Sequence, residues 1–241
     1  KRRIERNMKK IIALCVACLL AVACFAGCTP EEEVPQKTAQ DMYKPVWLGD
    51  TVYEESLVVV EEADGTKVGK LLYEPTEIIR VNDYTLKEEY AASEYRIEGK
   101  NLILTETSTM PYLTYEQYYE ADITDMPGMQ TQTGSEPGRN ILFTESASLL
   151  RYHVNVTYRH ADTWQGTVPV YQGDKLPNTM KKLKEDKSLS LFMTGDSIAA
   201  GCSSSALLNI EPFRPSFGVG FELELESWYD ADVEFENKAV G

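Results

Sequence analysis

The residues of this 241-residue chain that could do chemistry are few. Ser197 stands in Thr194-Gly195-Asp196-Ser197-Ile198-Ala199-Ala200-Gly201, directly after the apolar run Leu189-Ser190-Leu191-Phe192-Met193. An apolar run bounded by charge on one side and glycine on the other suits a buried parallel strand. A serine just past the carboxyl end of such a strand lies on the edge where open α/β sheets bind ligands, and at the head of a helix its neighbourhood offers unpaired backbone N–H groups to a developing oxyanion. A serine hydroxyl becomes a nucleophile at neutral pH only when a base, usually a histidine held by a carboxylate, takes its proton. The chain has two histidines, His153 and His160, both in the run Arg151 to His160. In an extended strand, Tyr152, Val154, Val156, Tyr158 and His160 share one face, while His153, Asn155, Thr157 and Arg159 share the other. The histidines therefore point apart, a shared metal site is disfavoured, and the plain reading is a half-buried strand with one histidine on each face. Neither has an acid three residues before it, those positions being Leu150 and Thr157. Cys202, five residues after Ser197, reads as a buried free thiol rather than a reactive one.

The Gly195-Asp196-Ser197 segment resembles the first block of the SGNH, or GDSL, hydrolase family. The Ile198-Ala199-Ala200-Gly201 continuation, the Pro212-Phe213-Arg214-Pro215-Ser216-Phe217 segment and the Asn237-Lys238-Ala239-Val240-Gly241 segment after the strand Val233 to Phe235 extend that resemblance, the last looking like the start of the second block. Upstream, His153-Val154-Asn155-Val156-Thr157-Tyr158 and Trp164-Gln165-Gly166 look like the jelly-roll module that precedes the catalytic domain in some exported carbohydrate esterases of that family. The resemblance implies a jelly-roll-like β-sandwich module followed by the first β-α-β portion of a doubly wound α/β hydrolase domain. It makes Ser197 the nucleophile and puts Gly195, Asp196, Asn237 and Gly241 in the motif and oxyanion-hole region. The implied activity is a serine esterase or deacylase acting on acylated carbohydrate, acetyl first among the acyl groups, or on a small ester, without cofactor or metal. The family's base and orienting acid come late, as Asp-x-x-His, which this sequence lacks. The expectation is therefore an incomplete, inactive piece of such an esterase. The alternative is a non-catalytic surface lipoprotein whose β-sandwich binds glycan or a partner protein.

The elements that would position Ser197 follow from pattern. Met8-Lys9-Lys10, the uncharged run Ile11 to Gly27 and Phe25-Ala26-Gly27-Cys28 look like a bacterial lipoprotein signal peptide in which Cys28 is lipidated. That would tether the chain to the outer face of the cytoplasmic membrane. The run is shorter than the roughly 20 apolar residues of a bilayer-spanning helix, which is the other reading. Residues 1–7 precede a signal that begins properly at Met8, and are expected not to be made. The reading is 1–27 upstream residues and signal, 28–44 an acidic tether, 45–180 the β-sandwich module and 181–241 the start of the hydrolase domain. Leu57 to Val60, Thr76 to Val81, Asn101 to Thr105, Ile141 to Phe143 and Tyr152 to His160 are the clearest strands, with turns at Asp64-Gly65, Glu98-Gly99 and Pro127-Gly128. Leu176 to Leu183 reads as a short amphipathic helix. Between Ser216 and Tyr229 a helix with Phe217, Phe221, Leu225 and Trp228 on one face is chosen over a strand, because Glu222, Glu224 and Glu226 are poor strand formers.

Composition narrows the partners. The chain carries 24 Lys and Arg against 38 Asp and Glu, a net charge of −14. Removal of the segment before Cys28 takes six basic residues and Glu5, leaving 18 against 37. Such a surface repels phosphate backbones, and no basic patch offsets it, so nucleic acid is disfavoured. Of five cysteines only Cys202 is left as a free thiol by that processing, so no disulfide framework is expected. Trp164 could offer a platform to a sugar ring, as could Tyr112, Tyr115, Tyr118 and Tyr119, although aromatics are also ordinary core material. Asp122 and Asp125 lack the alternating oxygen ligands of a calcium loop.

Overall fold

The computed structural model describes residues 44–144 and 146–240; Cys28, expected to carry the lipid, the expected tether up to Tyr43, and Gly241 lie outside them. In chain order the elements are β1 (Thr51–Val58), β2 (Val60–Glu61), β3 (Lys67–Lys70), β4 (Pro75–Asn82), β5 (Tyr95–Glu98) and β6 (Asn101–Leu104). Then come α1 (Tyr115–Tyr119), β7 (Thr131–Thr133), β8 (Asn140–Leu142), α2 (Ala147–Leu150) and β9 (His153–His160). The last group is α3 (Pro177–Lys181), β10 (Ser188–Met193), α4 (Ser197–Ala200), α5 (Phe217–Tyr229) and β11 (Asp232–Asn237). Strand accounts for 30% of the described residues and helix for 21%, so β-structure dominates. Among the described residues no helix is long and apolar enough to cross a membrane.

The β-rich part consists of an antiparallel sheet ordered β1-β9-β4, a second ordered β2-β3-β6-β5, and the small hairpin β7-β8. The Asp64-Gly65 and Glu98-Gly99 turns close β2-β3 and β5-β6; at Gly65 (φ 83°) the backbone is left-handed, and the Asp64 carboxylate accepts the Thr66 amide at 2.9 Å. Between the two larger sheets lies one core cluster containing Leu57, Val59, Leu71, Val81, Leu102, Leu104, Val154, Val156 and Tyr158. Each such side chain contributes about 1.5–3 kcal/mol when fully withdrawn from water.

β9 departs from the half-buried strand that alternation suggests. Residues 154–158 are all buried, because β9 is the middle strand and its polar face is also covered. On that face Asn155 donates to the Asp83 carbonyl at 2.9 Å, and the Thr157 hydroxyl accepts the Glu54 amide at 3.1 Å. Buried polar groups are tolerated where each finds such a partner.

A second cluster, Leu183, Leu189, Ala231 and Val233 with Leu191, Leu225 and Tyr229 packed against it, organises the C-terminal elements. β10 and β11 run parallel, Leu189 opposite Val233 and Leu191 opposite Phe235, joined by the crossover containing α5. The helix expected between Ser216 and Tyr229 is present as α5, but of its expected apolar face only Leu225 is covered. Leu225 packs on the cluster and Gly218 lies against Met193 and Phe235, whereas Phe217, Phe221 and Trp228 are exposed, Trp228 at 72%. The reason is the glycine pair: Gly218 and Gly220 are the buried residues of α5, letting its backbone approach the sheet on the side the larger residues do not occupy. β10 is likewise covered on one face only, with Phe192 62% exposed, which corrects the expectation of a buried strand.

Candidate functional site

Ser197 opens α4 two residues after the chain leaves β10 and its 194–195 turn. Asp196 caps this single turn of helix, its carboxylate accepting the Ile198 amide at 3.1 Å. Gly195 is required by space: a Cβ there would come within 2.6 Å of the Ala199 Cβ. Gly201 ends the turn in the left-handed region (φ 95°), its amide donating to the carbonyls of Ser197 and Ile198. Chain leaving β11 returns alongside. The Lys238 amide donates to the Met193 carbonyl at 2.8 Å and the Val240 amide to the Gly195 carbonyl at 3.1 Å. Asn237 donates through Nδ2 to the Ala199 carbonyl and accepts the Ala239 amide, both at 2.9 Å, which commits its side chain to holding this turn.

The structure thus brings Gly195, Asp196, Ser197 and Asn237 together. Ser197 is half-buried, and among the described residues neither its hydroxyl nor its amide has a hydrogen-bond partner. The Ile198 amide is already taken by Asp196, while Ser197 N–H is left as a donor at the head of α4 for a developing oxyanion. Cys202 is half-buried, a free thiol whose amide donates to the Ser197 carbonyl at 2.9 Å.

Neither histidine meets Ser197. His160 is buried, stacked on Tyr73 with ring centroids 4.0 Å apart, and its Nδ1 lies 3.1 Å from the Asp162 carbonyl. A carbonyl only accepts, so Nδ1 carries the hydrogen. His153, on the opposite face of β9, sits 2.9 Å through Nδ1 from the Ser56 hydroxyl. Burial holds the His153 imidazolium below the ordinary histidine range.

His153 and Ser56 open onto a cleft of about 270 Å³ between the β-rich part and the segment that follows Ser197. Tyr84, Leu86 and Asn155 line one side, Ser203 to Ser205, Glu211, Pro212 and Arg214 the other. Two ion pairs hold the sides together: Arg214 to Glu54 at 2.5 Å and Lys87 to Glu211 at 2.6 Å, with Arg80 3.8 Å from Glu54. Glu54 reaches this position through a bulge, where the β1-β9 register shifts and its own backbone is left-handed (φ 51°). Sequence reasoning missed the Glu54–Arg214 and Ser56–His153 pairs, whose members lie 160 and 97 positions apart; the only local trace is a glutamate at a strand position.

The aromatic residues fall in different surroundings. Trp164 packs against the large core cluster, tilted on Trp47 at 6.3 Å with Gly166 against its ring, and lines a shallow hollow with Asp162 and Lys100. Tyr112 is partly buried beneath the Lys67 ammonium, 3.9 Å from its ring centre. Tyr115, Tyr118 and Tyr119 form an edge-packed group on α1, and Tyr119 donates to Glu62 at 3.0 Å. Asp122 is held below the usual carboxylate range by the Thr124 hydroxyl and amide, a turn-closing role. Among the described residues no group of three or more His, Cys, Asp or Glu side chains could hold a metal ion.

No family model matches this chain, and the searches of curated proteins and of solved structures return no similar protein.

Proposed function

We propose that the chain is the nucleophile-bearing part of an SGNH-type serine esterase that removes acyl groups, acetyl in the first instance, from carbohydrate at the bacterial cell surface, tethered by a lipid on Cys28. One observation carries this reading: Ser197 follows a parallel strand directly, at the head of a capped turn whose own N–H is free, with the Asn237–Val240 segment folded beside it. In this mechanism the Ser197 hydroxyl attacks the ester carbonyl, Ser197 N–H holds part of the oxyanion, and Gly195 and Asp196 fix the turn. His153 and His160 are engaged elsewhere, so a histidine from outside these 241 residues takes the serine proton.

The test is hydrolysis of p-nitrophenyl acetate and of acetylated xylan by the product of the complete reading frame. Ser197→Ala is expected to abolish release of acetate; activity retained by that variant overturns the assignment.

A second reading has its own support. Because no base is hydrogen-bonded to Ser197 among the described residues, the chain also suits a non-catalytic surface lipoprotein whose β-rich part binds glycan or a partner protein. Glycan retained by the protein while no ester is cleaved favours it.

A further inference from the structure

We propose that the cleft between the β-rich part and the 203–215 segment binds one pyranose ring of a neutral carbohydrate, with Ser56 and His153 as its polar floor and Tyr84 as its apolar wall. The inference rests on the carbohydrate half of the reading above and names a binding site separate from Ser197.

Three features select this ligand class. The charges around the cleft are already matched, Glu54 with Arg214 and Arg80, Glu211 with Lys87, so the cleft presents no net positive field to an anion. What it offers instead is neutral groups that both donate and accept. The Ser56 hydroxyl and the His153 ring share one hydrogen bond, leaving further donor or acceptor capacity on each, and burial keeps that imidazole neutral. A sugar hydroxyl likewise donates and accepts, so it pairs with such groups without leaving a buried charge unmatched. Second, Tyr84, Leu86 and Pro212 give the cleft an apolar side, the complement of the C–H face of a pyranose. Third, its volume of about 270 Å³ falls just below the roughly 300–1,000 Å³ of drug-sized small-molecule sites, which suits one ring rather than a chain of them.

The segment closing the cleft is built at a cost. Ser203, Asn209 and Phe213 are all left-handed, at φ 67°, 51° and 55°, a conformation that Asn adopts readily but that costs Ser203 and Phe213 on the order of 1 kcal/mol or more each. Hydrogen bonds hold it so: the Ser205 hydroxyl accepts the Arg214 amide at 2.7 Å and the Ala206 amide donates to the Arg214 carbonyl at 3.0 Å.

The experiment is a calorimetric titration of the full chain, paralleled by saturation-transfer NMR, with xylobiose, cellobiose and chitobiose, and with inorganic phosphate as the anionic probe. At least one disaccharide is expected to saturate the protein while phosphate does not. His153→Ala and Tyr84→Ala are each expected to weaken that binding about tenfold, the loss of one partnered polar group or one ring contact. Tyr84 lies outside the core clusters, so its variant is informative even where His153→Ala unfolds. Tyr118→Ala, in the groove beside α1, is expected to leave affinity unchanged. Absence of any disaccharide binding, saturation by phosphate alone, binding that survives Tyr84→Ala in full, or its loss in Tyr118→Ala overturns the proposal. Binding is read without turnover, so its failure is distinct from failure of the esterase assignment, which Ser197→Ala decides.

Discussion

Replacing Glu54 by Gln should loosen the segment that follows Ser197 more than it damages the β-rich core. Glu54 accepts from Arg214 (2.5 Å) and forms a longer ion pair with Arg80 (3.8 Å), and its side chain is only 11% exposed while the two arginines are 35% and 28% exposed. Breaking a fully buried ion pair costs about 3–5 kcal/mol, and an exposed one contributes only about 0.2–1 kcal/mol. Here the carboxylate is buried, but both guanidiniums keep partial contact with water and can rehydrate when it is neutralised. The cost therefore falls between the two, at about 1–2 kcal/mol. At about 1.4 kcal/mol per factor of ten, the opening equilibrium of residues 203–216 should rise roughly tenfold. Hydrogen exchange reads this directly: the Arg214 and Ala206 amides, which donate to the Ser205 hydroxyl and the Arg214 carbonyl, should exchange about tenfold faster. The amides of Val154 and Val156 in the middle strand should change far less. Arg214→Met removes the clamp altogether and leaves the buried Glu54 carboxylate with Arg80 alone at 3.8 Å, so it should have at least as large an effect, and adding it to Glu54→Gln should produce less than the sum of the two, because both act on one pair. Unchanged exchange in 203–216, or strictly additive effects, would refute the claim that this ion pair clamps the segment.

Tyr158→Phe should cost about 2 kcal/mol and lower the melting temperature by roughly 4–8 °C, since its buried hydroxyl donates to Glu55 at 2.6 Å and accepts the Tyr73 amide at 3.2 Å. A melting temperature within a degree of the parent contradicts it. Burial lowers the His153 pKa in the folded state, so the unfolded chain binds the proton first as pH falls. The stability contributed by neutral His153 is present above its unfolded pKa of about 6.5 and is lost as pH falls through the lower folded value. Urea midpoints measured from pH 7.5 to 5 should fall accordingly, and less so in His153→Gln. Gly195→Ala should destabilise the C-terminal elements by about 1–3 kcal/mol, because the new methyl lands 2.6 Å from the Ala199 Cβ; a thermal unfolding curve that overlays the parent's would count against it.

Local pattern was enough for much of the fold. The runs Thr76 to Val81, Asn101 to Thr105 and Tyr152 to His160 fall within a residue or so of β4, β6 and β9, because each is a short run rich in β-branched, aliphatic or aromatic residues. The helix over 217–229 was also readable, since Glu222, Glu224 and Glu226 are poor strand formers even though their alternation has a strand's period. Its buried side was not. A helical wheel ranks Phe217, Phe221 and Trp228 as inward, while the packing is decided by Gly218 fitting against Met193 and Phe235, a steric fact with no hydrophobic signature. The front half of β1 was missed for a related reason. Glu54 and Glu55 spoil its alternation, yet each has a distant partner, Arg214 for one and the Tyr158 hydroxyl for the other.

The candidate chemistry divides along the same line. The Gly195-Asp196-Ser197 turn was legible because its geometry is local: a strand end, a capping carboxylate and two glycines whose missing side chains are required by contacts four and fifteen residues away. A serine's base is not a local property. The histidine that the fold sets beside a serine serves Ser56, a residue without a motif, while Ser197, which has one, is left with its hydroxyl unpartnered among the described residues. Hydrolysis at Ser197 therefore depends on a proton acceptor being brought within about 2.6–3.2 Å of that hydroxyl. Recognition in the Ser56–His153 cleft needs nothing further to be assembled, since its partners are already 2.9 Å apart. The two proposed activities would accordingly be lost separately, and a variant that loosens the Glu54–Arg214 clamp should weaken the second even in a protein that never performs the first.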